Sequence, residues 1–189
     1  MAEKQVTIDN QTYPLDELFF VIGTQNPLDL AGTYPLPLVQ LDRFLLKIPM
    51  SYVDSESELK ILENHKQITE KANNSEAVCT QSDILKARQA ANSVKISDSL
   101  RKAIIELVQA TRDNPILKFG ASTRSALMLQ QAIRAWALIQ KRDYATEDDF
   151  KYIAQFVLLH RLKFNSTINK PNDALNALMN PIIEKLINQ

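Results

Sequence analysis

Three glycines in 189 residues constrain this chain more than any other feature. Average usage would place about a dozen in a chain of this length. Glycine is the default residue for left-handed turns and close backbone approaches, so a chain this sparing with it is predicted to be rich in helix. The three are Gly23, Gly32 and Gly120. Prolines are uneven as well: Pro14, Pro27, Pro35, Pro37 and Pro49 make five of the eight, all in the first 49 residues. The chain therefore divides into a proline-punctuated N-terminal quarter and a helical remainder. With 45% hydrophobic and 23% charged residues it has a globular composition, not a disordered one.

The charges balance at 22 basic and 22 acidic, which gives no general attraction to nucleic acid or to an anionic membrane. Cys79 is alone, and no Cys/His cluster has zinc spacing, so neither an internal disulfide nor a metal site is expected. The N-terminus lacks the apolar core of a signal peptide, and no apolar run approaches ~18 residues. The expectation is a cytoplasmic chain without membrane insertion.

In the N-terminal quarter, Gln5–Ile8 and Gln11–Tyr13 alternate about Asp9-Asn10, a hairpin signal. Leu18-Phe19-Phe20-Val21-Ile22 is a short apolar run that stops at Gly23-Thr24-Gln25-Asn26-Pro27. It reads as a strand buried on both faces, with Thr24, Gln25 and Asn26 at the carboxyl end where ligands gather in layered α/β sheets. After an extended Thr33–Pro37 stretch, Val39–Ile48 reads as a short helix running into a second apolar strand. A hairpin and two strands without crossover helices are not a complete α/β domain, because parallel strands need helices over both faces.

The remainder reads as successive helices. Ser55 with Glu58 forms a capping-box pattern before Leu59–Ile68, and Thr80 with Asp83 opens another helix through Ala91. Ser97 caps Asp98–Arg112, with Leu100, Ile104, Leu107, Val108 and Thr111 in one stripe. Helices follow over Ser122–Lys141 and Glu147–Leu162, the second capped by Thr146 with Asp149. Leu127, Ile133, Trp136 and Leu138 are the expected buried face of the first. His160-Arg161 reads as a surface pair at a helix end, and His65 and Cys79 as structural. Lys163–Asp173 is polar and reads as flexible, and Asn176–Ile187 reads as a short helix interrupted by Pro181.

Five strings follow one another at close spacing: Gln5-Val6-Thr7-Ile8-Asp9, Thr12-Tyr13-Pro14-Leu15, Thr24-Gln25-Asn26-Pro27, Gly32-Thr33-Tyr34-Pro35-Leu36-Pro37 and Gln40-Leu41-Asp42-Arg43-Phe44. In that order they resemble the MoxR branch of the AAA+ ATPases. The resemblance continues through Gly120-Ala121-Ser122-Thr123-Arg124-Ser125 and Arg142-Asp143-Tyr144-Ala145-Thr146-Glu147-Asp148, to about Leu162. Leu38 and Thr123 depart from it, where the family commonly has an acidic residue and a proline. Magnesium chelatase is the nearest rival within AAA+ proteins, and the Gly32–Pro37 string favours the MoxR branch.

The resemblance implies three site residues. Asn26 matches sensor 1, whose neutral amide can both donate to and accept from an attacking water; on spacing alone, Asn26-Pro27 would only start a turn. Arg43 matches the arginine finger that enters a neighbouring subunit's site, where a planar guanidinium can grip two phosphate oxygens. Taken alone, Asp42-Arg43 is an ordinary surface pair. Arg124 matches sensor 2 in the first turn of a helix capped by Ser122 or Thr123. A cation there opposes the helix dipole, and a bound phosphate would remove the conflict.

Neither a P-loop of the G-x-x-x-x-G-K-[ST] type nor an acidic Walker B strand occurs in these 189 residues. Asp16-Glu17 and Glu147-Asp148-Asp149 do not follow apolar strands. In the family both elements lie upstream of the matched segment, so Met1 reads as an internal methionine.

The fold expected is mainly α: the C-terminal remnant of an α/β AAA+ core over 1–49 (a hairpin plus two strands), a helical lid over 50–162, and a flexible segment with a C-terminal helix over 163–189. The resemblance implies that the complete protein binds ATP with Mg2+ and forms rings, hexameric by family type. It also implies remodelling or maturation of partner proteins, typically ones with von Willebrand factor A domains. The chain alone is expected neither to hydrolyse ATP nor to bind nucleotide tightly. Two rival readings are a non-catalytic module that docks on complete AAA+ subunits and a DNA-binding helix-turn-helix. The balanced charge disfavours the latter.

Overall fold

In a computed structural model of the chain, residues 5–25 and 36–188 are described. Asn26 and the Gly32–Pro35 part of the family string lie outside them.

Strands β1 (Gln5–Ile8) and β2 (Gln11–Pro14) pair antiparallel with Ile8 opposite Gln11. The two residues between them, Asp9 at φ 48° and Asn10 at φ 67°, are both left-handed. Asn and Asp tolerate that region, and two such residues make the turn whose twist matches a hairpin. The hairpin expectation holds.

The two further strands do not form. Leu18–Ile22 and Phe44–Ile48 carry no strand among the described residues, and Phe20 and Ile22 are 68% and 80% exposed. A strand hydrophobic on both faces is stable only with parallel neighbours and covering helices, and these residues supply neither. The two segments do approach each other: a Cβ on Gly23 would sit 3.5 Å from the Phe44 ring.

A single turn, α1 (Leu38–Leu41), precedes a long helix α2 (Ser55–Asn73) and α3 (Gln81–Ser93). The cap of α2 is Asp54, whose carboxylate accepts from the Ser57 backbone N–H at 2.9 Å, one residue earlier than the expected Ser55. No residue of α2 is buried. The Thr80/Asp83 capping box of α3 is present as expected. Arg88 and Gln81 of α3 donate to Glu17 O (3.0 Å) and Asp16 Oδ1 (2.6 Å), which ties the N-terminal quarter to the helices.

The core lies among α4 (Asp98–Ala110), α5 (Thr123–Ile139), α6 (Glu147–Leu158) and α7 (Pro171–Ile187). Helix α4 buries the expected stripe Leu100, Ile104, Leu107 and Val108, with Ala103. On α5 the buried face is Ala126, Leu129, Ile133 and Ala137 at helical spacing, with Ser125 and Ala132 beside it. Leu127 lies off that stripe and is 60% exposed, so its expected burial is corrected. Trp136 is half-buried and stacks on Tyr152 of α6 at 4.7 Å between ring centroids.

Helix α6 ends in a 3-10 turn, Leu159–Arg161. The polar segment after it was expected to be flexible, yet it carries β4 (Lys163–Phe164), paired antiparallel with β3 (Leu117–Phe119). Helix α7 begins at Pro171, five residues earlier than expected, and runs through Pro181 without interruption. It buries Leu175, Met179, Ile182 and Ile183.

Two local devices fix the start of α5. A Cβ on Gly120 would lie 2.3 Å from the Thr111 carbonyl oxygen, so only glycine lets this loop cross the end of α4. The buried Thr111 hydroxyl then donates to Val108 O at 2.7 Å and accepts from the Ala121 N–H at 2.9 Å. At the start of α6, the buried Asp149 carboxylate takes a bidentate grip from Arg142 (2.5 and 2.7 Å) and the Thr146 N–H at 2.8 Å. Burial opposes ionisation of Asp149, but the hydrogen bonds from Arg142 and Thr146 outweigh it and hold the carboxyl below its ordinary value.

Candidate functional site

Of the three residues singled out in the sequence, Arg43 and Arg124 lie among the described residues and both are exposed. Asn26 lies outside them. Arg43 sits in the turn that leaves α1, its N–H donating to Gln40 O at 3.1 Å. Arg124 is in the first turn of α5, which is capped by Ser122 through a capping box with Ser125.

Asp42 joins these two positions. Its carboxylate accepts from the hydroxyls of Ser122 (3.5 Å) and Ser125 (3.4 Å) at the start of α5, and pairs with Arg161 Nε at 3.1 Å. An anion at a helix N-terminus is favourable. The side chain of Asp42 thus supplies the anion that the dipole at the start of α5 favours, so the position of Arg124 does not by itself call for a bound phosphate. The ion pair with Arg161 offsets a negative charge that would otherwise repel phosphate from the two exposed guanidiniums.

Arg161 is 2% exposed and His160 7%, so the expected surface pair is buried. Arg161 donates to the carbonyls of Asp42 (3.3 Å), Phe44, Leu45 (3.3 Å) and Val157, and to Met128 Sδ at 2.8 Å. His160 Nε2 lies 3.0 Å from Phe44 O, and the Lys47 N–H donates to Phe156 O at 2.9 Å. Burial lowers the Arg161 pKa, and the nearby Arg124 charge adds to that; Asp42 opposes it. A signal for this burial was present in the sequence. Arg161 continues the stripe Phe150, Ile153/Ala154, Val157/Leu158 by one more turn.

Burial also pushes His160 below its ordinary value, the Phe44 carbonyl working the other way and the Arg161 and Lys47 charges adding to the fall. An unfolded histidine takes a proton near 6.5, whereas the folded one stays neutral to lower pH. Stability is therefore full above that value and declines as pH falls toward the folded pKa. The urea midpoint should drop between pH 7.5 and 5, and His160→Gln should flatten that drop. An identical slope in the variant would contradict the assignment.

Among the described residues no group of three or more His, Cys, Asp or Glu could hold a metal ion, and no helix is long and apolar enough to cross a membrane. The free thiol of Cys79 is exposed.

Residues 1–46 match the family described as "ATPase family associated with various cellular activities (AAA)", and residues 109–181 match the AAA lid domain. An AAA core segment followed by its lid defines the chain as part of an AAA+ ATPase module. The chain is 33% identical over 171 residues to "Chaperone MoxR1" of Mycobacterium tuberculosis (strain ATCC 25618 / H37Rv), covering 86% of this chain and 45% of that protein. It is 40% identical over 165 residues to the uncharacterised protein YeaC of Bacillus subtilis (strain 168), covering 86% of this chain and 50% of that one. The crystal structure of a candidate ATPase from Cytophaga hutchinsonii ATCC 33406 superposes with a TM-score of 0.75 at 38% identity, covering 99% of this chain and 58% of its own. The chain belongs to the MoxR family of AAA+ ATPases, and it spans about half the length of the curated relatives it matches.

Proposed function

We propose that this chain supplies the accessory residues of an ATP-hydrolysing ring. In this reading residues 1–49 end the nucleotide-binding core, 50–162 form the lid, and the C-terminal segment 163–189 docks on it. Arg43 reaches in trans to the γ-phosphate of a neighbouring subunit, Arg124 contacts nucleotide in cis, and Asn26 orients the attacking water. The complete module binds ATP with Mg2+ through elements outside these residues. It works in the cytoplasm as a ring, with a hexamer as the stoichiometry to test, and couples turnover to remodelling partner proteins, von Willebrand factor A domain proteins among them.

One observation carries the reading. Arg43 and Arg124 are exposed guanidiniums joined through Asp42, and neither has a side-chain hydrogen bond or ion pair among the described residues. Such groups are suited to phosphate oxygens. The exposed apolar residues Phe20, Ile22 and Ile48 favour docking of this segment on further AAA core. They also suit the rival reading, a module that docks on complete subunits.

The test is turnover. The purified 189-residue chain should not hydrolyse ATP, and a polypeptide that joins it to a MoxR-type core with P-loop and Walker B should. Turnover by the isolated chain that Arg43→Ala or Asn26→Ala abolishes would overturn the assignment of roles. Altered turnover of a complete homologue on adding the isolated chain would favour the docking module.

A further inference from the structure

We propose that Asp42 and Arg161 fasten the Arg43-bearing turn, at the end of the core segment, to the lid, and so act as positioning residues that hold Arg43 and Arg124 in a fixed relation. The inference rests on the reading of Arg43 and Arg124 given above and concerns how the two are coupled.

Among the described residues, the polar links of 42–47 beyond the local turn all go to the lid. The Asp42 carboxylate meets Ser122, Ser125 and Arg161; the carbonyls of Asp42, Phe44 and Leu45 accept from Arg161; Phe44 O also meets His160; and the Lys47 N–H reaches Phe156 O. Arg161 is the centre of this set. Its side chain is 1% exposed, and Nε, Nη1 and Nη2 each donate to the 42–45 stretch. A planar guanidinium holds several acceptors in one fixed arrangement, which an ammonium on a flexible stem cannot copy. The same carboxylate that Arg161 fixes is bonded to the first turn of α5, where Arg124 stands. Arg43, one residue from Asp42, and Arg124 are therefore carried by one body. Asp42 and Arg161 are positioning residues: they touch the groups that carry the two arginines, not the phosphate.

The coupling can be measured without nucleotide. In the Cys79→Ser chain, nitroxides at the exposed positions 39 and 127 report the distance between α1 and α5 by pulsed electron resonance. The parent should give one narrow distance peak. Arg161→Lys, which keeps the charge but not the fork, should lose it, and so should Asp42→Asn, which removes the ion pair at nearly constant volume. Circular dichroism identifies any variant whose helices have melted, and the other then decides. A narrow peak retained in a folded variant overturns the proposal.

In a ring whose subunits join this chain to a P-loop core, Asp42→Asn should lower kcat about tenfold or more, the scale set by misplacing a catalytic group, with KM for ATP nearly unchanged. A rise in KM at constant kcat, or no change in either, also overturns it. If Arg43→Ala in that ring has no effect while the distance result stands, the finger assignment has failed and the coupling has not.

Discussion

Arg161→Ala is expected to lower the unfolding free energy of the chain by about 3–5 kcal/mol, the range for removing one partner of a buried ion pair. Asp42 keeps its charge but loses its partner, and the carbonyls of Asp42, Phe44 and Leu45 lose a donor together. For a domain of this size that corresponds to roughly 10 °C in Tm. Removing both charges with Asp42→Ala/Arg161→Met should recover part of the loss, because no uncompensated charge then remains. The recovery stays incomplete, since methionine cannot serve the three carbonyls. A urea series on the parent and the two variants measures all of this. A cost for Arg161→Ala under about 1 kcal/mol, the value of an exposed pair, would return Arg161 to the surface role that its sequence position first indicated.

Arg43→Ala should behave in the opposite way. The Arg43 side chain is exposed and has no hydrogen bond or ion pair among the described residues, so Tm should hardly move. In an assembled ring its loss should lower kcat by about 10³, the order associated with a charge-stabilising arginine at a transferring phosphoryl group. If Arg43 acts on a neighbour's site, as proposed, an Arg43→Ala subunit whose neighbour is wild type should still turn over its own ATP. Mixing it with P-loop-deficient subunits should restore activity that neither has alone. A failure of that complementation, with both variants assembled, would place Arg43 outside the trans role.

What could be read in the sequence was whatever local chemistry decides. Asp9-Asn10 can take two left-handed conformations, so the hairpin was legible. Thr80/Asp83 and Thr146/Asp149 close capping boxes within four residues, so those helix starts were legible too. Leu18–Ile22 was misread for a non-local reason: its pattern is that of a central strand, but the partners such a strand needs are not among these residues. Pro181 was expected to break α7, yet burial of Met179, Ile182 and Ile183 on both sides of it holds the helix continuous. For the proposed site, motif strings pointed to Arg43 and Arg124. Asp42, His160 and Arg161 were missed because their contacts join residues more than 80 positions apart in some cases and more than 110 in others. Only the helical phase of Arg161 hinted at its burial.

The long helix Ser55–Asn73 stands outside all of this, capped by Asp54 and with no residue in the core. Substitutions along its nineteen positions that keep the helix are expected to leave the packing of the other described helices untouched. Its outer surface, with Leu59, Ile61, Leu62 and Ile68 all exposed, is therefore free to be shaped by something other than the needs of the core.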